Sequence, residues 1–493
     1  MPYKSTRSDY AVRDTAAVLQ GLAPDGGLYI DPALAERPFD WQRCLELDAL
    51  GMAESILSHL LPGFADMGQL VRRAYAGKFE TEDLTPLVPV GENYVLELFR
   101  GPTSAFKDVA LSMLPQLVTA ARRQEGMAER VLILTATSGD TGKAALEGFH
   151  DVEGTHIIVF YPDGGVSPVQ RAQMVTQDGK NVKVCAVRGN FDDCQTGVKQ
   201  AFAAINASGS LQGKGVRLSS ANSINIGRLA PQVVYYFIAY AALLKRGRIS
   251  LGEPVNFSVP TGNFGDILAG YFAKLMGLPV GKLVCASNAN RVLTDFLNTG
   301  VYDRRREFVR TSSPSMDILV SSNLERLLYL ASGGDSALVK QLMESLSRDG
   351  VYTLPDKPLA NIQEVFEGFC CDEAETEATI AQVWKEHGYL CDTHTAVAFS
   401  AAQAYQRLHP GSAPMVVLST ASPYKFPAAV LKAVGGDMAG DEFQQMQALE
   451  KHSGIPIPKG LRGLKDKAPL HSDVIGREDI LPYVLQQIEH LEV

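Results

Sequence analysis

The stretch Gly101-Pro102-Thr103-Ser104-Ala105-Phe106-Lys107-Asp108 sets a lysine in a turn built of small residues. Upstream, Tyr94 to Phe99 alternates as a strand does. Downstream, Phe106, Val109, Ala110, Met113 and Leu117 share one face of a helix that Pro115 is expected to kink. Lys107 therefore stands at a strand-to-helix junction. A single lysine there would ordinarily lie along the surface with its ammonium in water, so its meaning depends on the other junctions of the chain.

Three of them resemble it in composition. A strand ending at Thr137 leads into Ser138-Gly139-Asp140-Thr141-Gly142-Lys143. Small residues there let backbone amides and hydroxyls converge on an anion at the next helix's start, a substrate carboxylate being the natural guest. Plain helix capping by Ser138 or Asp140 would use the same residues. A Walker A nucleotide loop would need glycine at position 137 and Ser or Thr at 144, where the chain has Thr137 and Ala144.

The strand Val255 to Val259 runs into Pro260-Thr261-Gly262-Asn263-Phe264-Gly265-Asp266 and an apolar helix. Gly262 and Gly265 permit close backbone approach where a helix dipole favours a phosphate, with Asn263, Phe264 and Asp266 in the same cradle. Asp266 fits beside a dianion if its carboxylate caps the helix and points away. Last, Met415 to Ser419 ends in Thr420-Ala421-Ser422-Pro423-Tyr424-Lys425-Phe426, which puts the Thr420 hydroxyl at the C-terminal end of a strand.

An amine, a phosphate cradle and a hydroxyl for a ring nitrogen are the parts that pyridoxal 5'-phosphate requires. The amine of Lys107 would condense with the aldehyde, and the conjugated ring would accept electrons from a substrate's α-carbon, which no side chain does alone. A hydroxyl at the ring nitrogen, unlike a carboxylate, does not force ring protonation. The electron sink is then moderate, suited to elimination or replacement.

The runs Val131 to Thr137, His156 to Tyr161, Val182 to Val187, Val255 to Val259, Leu283 to Ala286 and Met415 to Thr420 are largely apolar and alternate with helical stretches. That pattern predicts an α/β fold of mostly parallel twisted sheets flanked by helices, with ligands at the C-terminal ends of the strands. An extra N-terminal lobe is expected over residues 1–92, with helices near Thr15 to Gly21 and Trp41 to Leu60 around the loop Pro24 to Leu28. Then follow a first α/β domain (93–250) with the lysine and carboxylate loop, a second (251–458) with the phosphate loop, and a C-terminal tail and helix (459–493). Asn323 to Gly388 reads as largely helical.

With 493 residues, 46% of them hydrophobic and 20% charged, the chain has the composition of a soluble globular protein of several lobes. Its net charge of -9 opposes binding to nucleic acid or anionic lipid. The one basic cluster, Arg304-Arg305-Arg306, is flanked by Asp303 and Glu307 and reads as a self-neutralised face. The apolar stretch Val233 to Leu244 is too short to span a bilayer and is assigned to a buried helix, and the N-terminus lacks the apolar core of an export signal, so a cytoplasmic protein is expected. Seven scattered cysteines form no Cys-x-x-Cys pair, and Cys391 with His394 lacks further ligands, so no metal is expected.

Gly-Pro-Thr-x-Ala-Phe-Lys-Asp at 101–108, Thr-Ser-Gly-Asp-Thr-Gly at 137–142, Gly-Asn-Phe-Gly-Asp at 262–266 and the Thr420 to Phe426 segment occur together and in order. So do Gly165-Val166-Ser167-Pro168, Asn222-Ser223-Ile224-Asn225 and the N-terminal Tyr3 to Arg7. Over nearly its whole length the chain resembles the fold type II pyridoxal-phosphate enzymes, and among them the threonine synthase family. The resemblance implies conversion of O-phospho-L-homoserine and water to L-threonine and phosphate, in a monomer or homodimer, with Lys107 holding the cofactor and moving protons. Gly262 to Asp266 would hold its phosphate and Thr420 its ring nitrogen. Thr137, Ser138, Gly139, Asp140 and Thr141 would hold the substrate carboxylate. A substrate that also carries phosphate needs local positive charge, for which Arg228 is the first candidate, followed by Lys143 and Arg100. Asn222 and Asn225 are candidates to orient it, although loop capping explains them as well. Arg100 stands where the family is expected to have histidine. Two other readings use the same parts: a phospholyase that releases phosphate without adding water at Cβ, and a non-catalytic protein that binds the cofactor.

Overall fold

The structure, a computed structural model, describes residues 2–209, 211 and 213–490. Two large sheets dominate it. The first has five parallel strands in the order Asp473–Ile475, Val182–Val187, Thr155–Pro162, Arg130–Ala136, Val216–Ser219. The second has six, in the order Phe366–Cys370, Val280–Ser287, Val255–Pro260, Met415–Ser419, Asn93–Glu97, Leu87–Val90, of which only the last pair is antiparallel. Their central strands are the continuous apolar runs of the sequence, covered on both faces.

The sheets cut across the domain boundaries expected from sequence. Asn93–Glu97, at the start of the expected first domain, pairs with Met415–Ser419 of the second sheet. The tail strand Asp473–Ile475 pairs with Val182–Val187, and helix Ile480–His490 packs through Ile480, Val484 and Ile488 into the same apolar cluster as Leu132 and Phe160 of the first sheet. The N-terminal lobe holds helices Asp14–Gln20, Ala49–Leu60 and Met67–Tyr75, and also a three-stranded antiparallel sheet of Pro2–Ser5, Ala11–Arg13 and Tyr29–Ile30. The expected helix Trp41 to Leu60 is interrupted: Asp48 accepts a hydrogen bond from the Gly51 amide and starts a new helix.

Lys107–Gln124 forms one helix with Pro115 inside it, and Val233–Lys245 is the buried helix expected. No helix of the described residues is long and apolar enough to cross a membrane. In the basic triplet, Arg305 pairs with Asp303 and Arg306 with Asp295, so that face is neutralised within the fold.

Candidate active site

The C-terminal ends of strands Arg130–Ala136, Val255–Pro260 and Met415–Ser419 open on one cleft of about 940 Å³. Lys107, Thr137, Ser138, Asp140, Thr141, Asn222, Arg228, Gly262 to Asp266 and Thr420 all line it. Sequence-distant turns meet there because their backbones are joined. The Phe106 amide donates to the Thr420 carbonyl at 2.8 Å, Ala105 bridges Ala421, and the Ser422 amide donates to Ser104 at 3.1 Å. Ser104 sits in the left-handed region at φ 62°. Asp108 holds the turn's shape by accepting from the Thr103 amide at 2.8 Å and from the Thr103 hydroxyl.

Lys107 is the first residue of its helix and is 8% exposed. Its Nζ lies 3.6 Å from Asp140 Oδ2 and 3.4 Å from Ser315 Oγ. Burial lowers its pKa; Asp140 opposes this, and the charges of Lys425 and Arg228 add to it. Asp140 is the counter-ion shared by two lysines: its Oδ1 is 2.7 Å from Nζ of Lys425, which is fully buried and also donates to the Thr103 carbonyl at 3.2 Å. Burial alone would raise the Asp140 carboxyl, but the two ammoniums and the Gln170 amide hold it far below the usual range.

That geometry revises several roles expected from sequence. The Asp140 side chain is committed to Lys425 and Lys107, which leaves Ser138 and Thr141 as the loop's free side chains on the cleft. The Thr137 hydroxyl accepts from the Gly139 and Gly142 amides at 3.0 and 2.8 Å, so it is the helix cap that had been expected from Ser138 or Asp140. Gly139 does not line the cleft; at φ 133° it packs on Gln170. Asn225 caps helix Ile226–Leu229 and donates to the Val18 carbonyl of the N-terminal lobe at 2.9 Å, so it builds the wall and does not line it. Lys143 is spent on Glu147 at 2.9 Å and on Gln177. Arg100 holds the buried Glu97 at 2.6 and 2.8 Å and Glu80 at 3.0 Å, outside the cleft.

Arg228 is different. It is 3% exposed, donates from Nη1 to the Ala221 carbonyl at 2.9 Å, and has no carboxylate partner and no partner for Nε among the described residues. A buried guanidinium with no counter-charge is costly unless an anion completes it, and desolvation lowers its pKa to about 10.

On the other side, Pro260 to Asp266 leads into helix Gly265–Leu275 with Phe264 left-handed at φ 62°. The loop is clamped by Ser321, which donates to the Gly262 carbonyl at 2.8 Å, and by the Asn323 amide, which donates to Asn263 at 3.0 Å. A Cβ on Gly262 would come within 2.6 Å of the Ser315 carbonyl. Gly262→Ala is therefore expected to push the Ser315 segment off Lys107, lowering stability by about 1–3 kcal/mol and weakening cofactor binding, as thermal unfolding and equilibrium dialysis would show. Asp266 does not cap its helix: its carboxyl turns to Tyr235 and Tyr236, where burial pushes it up to about 7.

Lys425, Ser315 and His394 also bear on the site; from sequence His394 was weighed only as a metal ligand beside Cys391, and no role was assigned to Lys425 or Ser315. His394 lines the cleft, bonds Asp392 through Nδ1 at 2.7 Å and accepts the Ser315 amide at Nε2, so the pair positions Ser315 against Lys107. Cys391 beside it is buried, and no cluster of three or more His, Cys, Asp or Glu side chains able to hold a metal occurs among the described residues. A lysine at a motif's fifth or sixth position, such as Lys425, carries no sign in the sequence that it will be fully buried.

The cleft fits the cofactor expected: a desolvated amine on its floor, a glycine-bearing helix start with open first-turn amides, and an unpaired cationic side chain. Two mostly parallel sheets flanked by helices, with these turns at their strand ends, define a fold type II pyridoxal-phosphate-dependent enzyme, and residues 81–421 match the family "Pyridoxal-phosphate dependent enzyme". Residues 395–466 match "Threonine synthase, C-terminal". The threonine synthase of Pseudomonas aeruginosa is 42% identical over 446 residues, covering 88% of this chain and 90% of that protein. The PLP-bound threonine synthase of Brucella melitensis superposes with a TM-score of 0.86 at 39% identity, covering 99% of both chains. The chain belongs to the threonine synthase family. Threonine synthase-like 1 of Macaca fascicularis is 40% identical over 458 residues, 89% of this chain, and the chain spans 60% of the length of that relative.

Proposed function

We propose that this chain converts O-phospho-L-homoserine and water to L-threonine and phosphate, with pyridoxal 5'-phosphate as cofactor. The observation that carries the reading is Arg228, a buried guanidinium with no carboxylate partner among the described residues, in the cleft whose floor is Lys107. A substrate with one carboxylate and one phosphate needs two anion sites near one base, and the cleft offers Ser138 and Thr141 at a helix start for the first and Arg228 for the second.

Gly262 to Asp266 would hold the cofactor's phosphate, Lys107 its aldehyde carbon and the Thr420 hydroxyl its ring nitrogen. Once bound, the cofactor supplies a conjugated ring that takes up electrons from the substrate's α-carbon. The remaining work is proton handling and positioning. Lys107 Nζ, whose hold on a proton is loosened by burial and by its cationic neighbours, takes the proton from Cα, gives it to the departing phosphate, and, free again, takes the proton from Cβ as the phosphate leaves Cγ. Arg228 draws off the leaving phosphate and retains it beside Cβ, where it orients the incoming water. Protons return at Cγ and finally at Cα, the latter from Lys107. Ser315, held by His394, steadies the amine through this sequence.

Incubation with O-phosphohomoserine tests the reading: threonine and phosphate in equal amounts are expected. A 2-oxo acid with ammonia in place of threonine would establish the phospholyase instead. Arg228→Gln is expected to raise KM for the phosphate ester by about 10- to 100-fold, the worth of a hydrogen bond to a charged group. The melting temperature should hold, because no carboxylate is orphaned; steady-state kinetics and a thermal melt check both.

A further inference from the structure

Asp266 is 6% exposed and lines the cleft, yet its two oxygens are treated unequally. Oδ1 accepts from Tyr235 at 2.6 Å and from Tyr236 at 3.0 Å. Oδ2 is buried with no hydrogen-bond partner among the described residues. For a carboxylate this is a poor arrangement, since an ionised oxygen left bare in a desolvated site costs far more than a neutral one. For a carboxylic acid it needs only one acceptor at Oδ2, because the carbonyl oxygen already accepts twice and the hydroxyl has one proton to donate. The segment Pro260 to Asp266 contains no lysine or arginine, so the loop itself offers a phosphate no cationic side chain.

We infer that Asp266 acts as a carboxylic acid and donates a hydrogen bond from Oδ2 to the cofactor's phosphate, making it a proton-bearing member of the cradle. The inference rests on the reading of this loop as the phosphate site. The groups facing the carboxyl agree with it. Burial raises Asp266 to about 7 against the opposing effects of Tyr235, Tyr236 and the Lys107 charge. Both tyrosines come from helix Val233–Lys245, and burial and Asp266 keep them as neutral phenols. A phosphate dianion arriving alongside adds a like charge and drives the carboxyl further toward its acid form. Loading should therefore take up a proton, and the phosphate should bind more weakly as pH rises above about 7.

The probe is pyridoxine 5'-phosphate, an alcohol that cannot condense with Lys107, titrated into the full-length protein and into Asp266→Asn, whose amide donates at either pH. At pH 7 the two are expected to bind within about threefold of each other, while toward pH 9 the wild type should lose about tenfold more affinity than the variant. Pyridoxine without phosphate should bind both alike. Infrared difference spectra of the loaded wild type should show a protonated-carboxyl C=O band that shifts in D₂O and is missing in Asp266→Asn. Equal pH slopes in the two proteins, or no such band in the loaded wild type, would overturn the inference while leaving the cofactor assignment standing. The band is measured on the wild type, so it decides the matter even if the variant does not fold. Failure of the wild type to bind any phosphorylated form of the vitamin would remove the cofactor reading itself.

Discussion

Lys107→Ala is expected to abolish threonine formation, with phosphate release from O-phosphohomoserine falling by at least about 10³-fold, because one side chain is asked to supply both the cofactor's attachment and the general base. The protein should still fold. Lys107 makes one long ion pair at 3.6 Å, and Asp140 keeps its shorter contact with Lys425. The expected result is thus an intact melting curve, retained binding of pyridoxine 5'-phosphate, and no peptide fixed at position 107 after borohydride treatment with pyridoxal phosphate. Activity close to wild type in this variant would refute the assignment of the amine.

Lys425→Met is expected to have the largest effect on stability. Lys425 is fully buried, 2.7 Å from an aspartate that is 3% exposed. Stripping a buried charge of its partner costs about 3–5 kcal/mol, and the loss here should approach the lower end of that range because Asp140 keeps only its longer contact, at 3.6 Å, with Lys107. The second consequence is chemical. Asp140 would then belong wholly to Lys107, while the repulsion that Lys425 exerts on Lys107 would vanish. Both changes favour the ammonium form of Lys107 and should move the pH dependence of cofactor attachment to higher pH, as followed by absorbance during titration. The double variant Lys425→Met with Asp140→Asn should recover part of the lost stability in urea unfolding, since the carboxylate stripped of Lys425 is gone, while Lys107 loses its counter-ion and is left to shed its proton. A single variant as stable as the wild type would mean that the pair is neutralised in some other way.

Much of the site was legible because parallel strands buried on both faces leave unbroken apolar runs, and each run here ends in small residues that cannot be core. Lys107, Gly262 to Asp266 and Thr420 were read from that contrast, and all of them line one cleft. Charge was harder to place. Arg100 and Lys143 look from sequence like Arg228, yet they are neutralised by Glu97 and Glu147, while Arg228 has no acid beside it among the described residues. Nothing in the local sequence separates them, because the difference lies in which strands and helices are neighbours. Asp140 illustrates the same limit: its loop was recognised, but its true partner, Lys425, arrives from a segment far along the chain. The short strands of the N-terminal lobe, such as Tyr29–Ile30, are too brief to show a period of two. Phe366–Cys370 was absorbed into a helical stretch because it follows helix Asp356–Val365 without a break.

The pairing of Asn93–Glu97 with Met415–Ser419 bears on the order in which the protein matures. As the chain emerges from the ribosome, the segment carrying Lys107 appears early, but the neighbour that shapes its turn is made only after most of the polypeptide. A nascent or truncated chain ending before residue 415 would lack the strand that seats the reactive amine, and with it Thr420 and Lys425. The turn that carries Lys107 can therefore take its final shape only when synthesis is nearly finished.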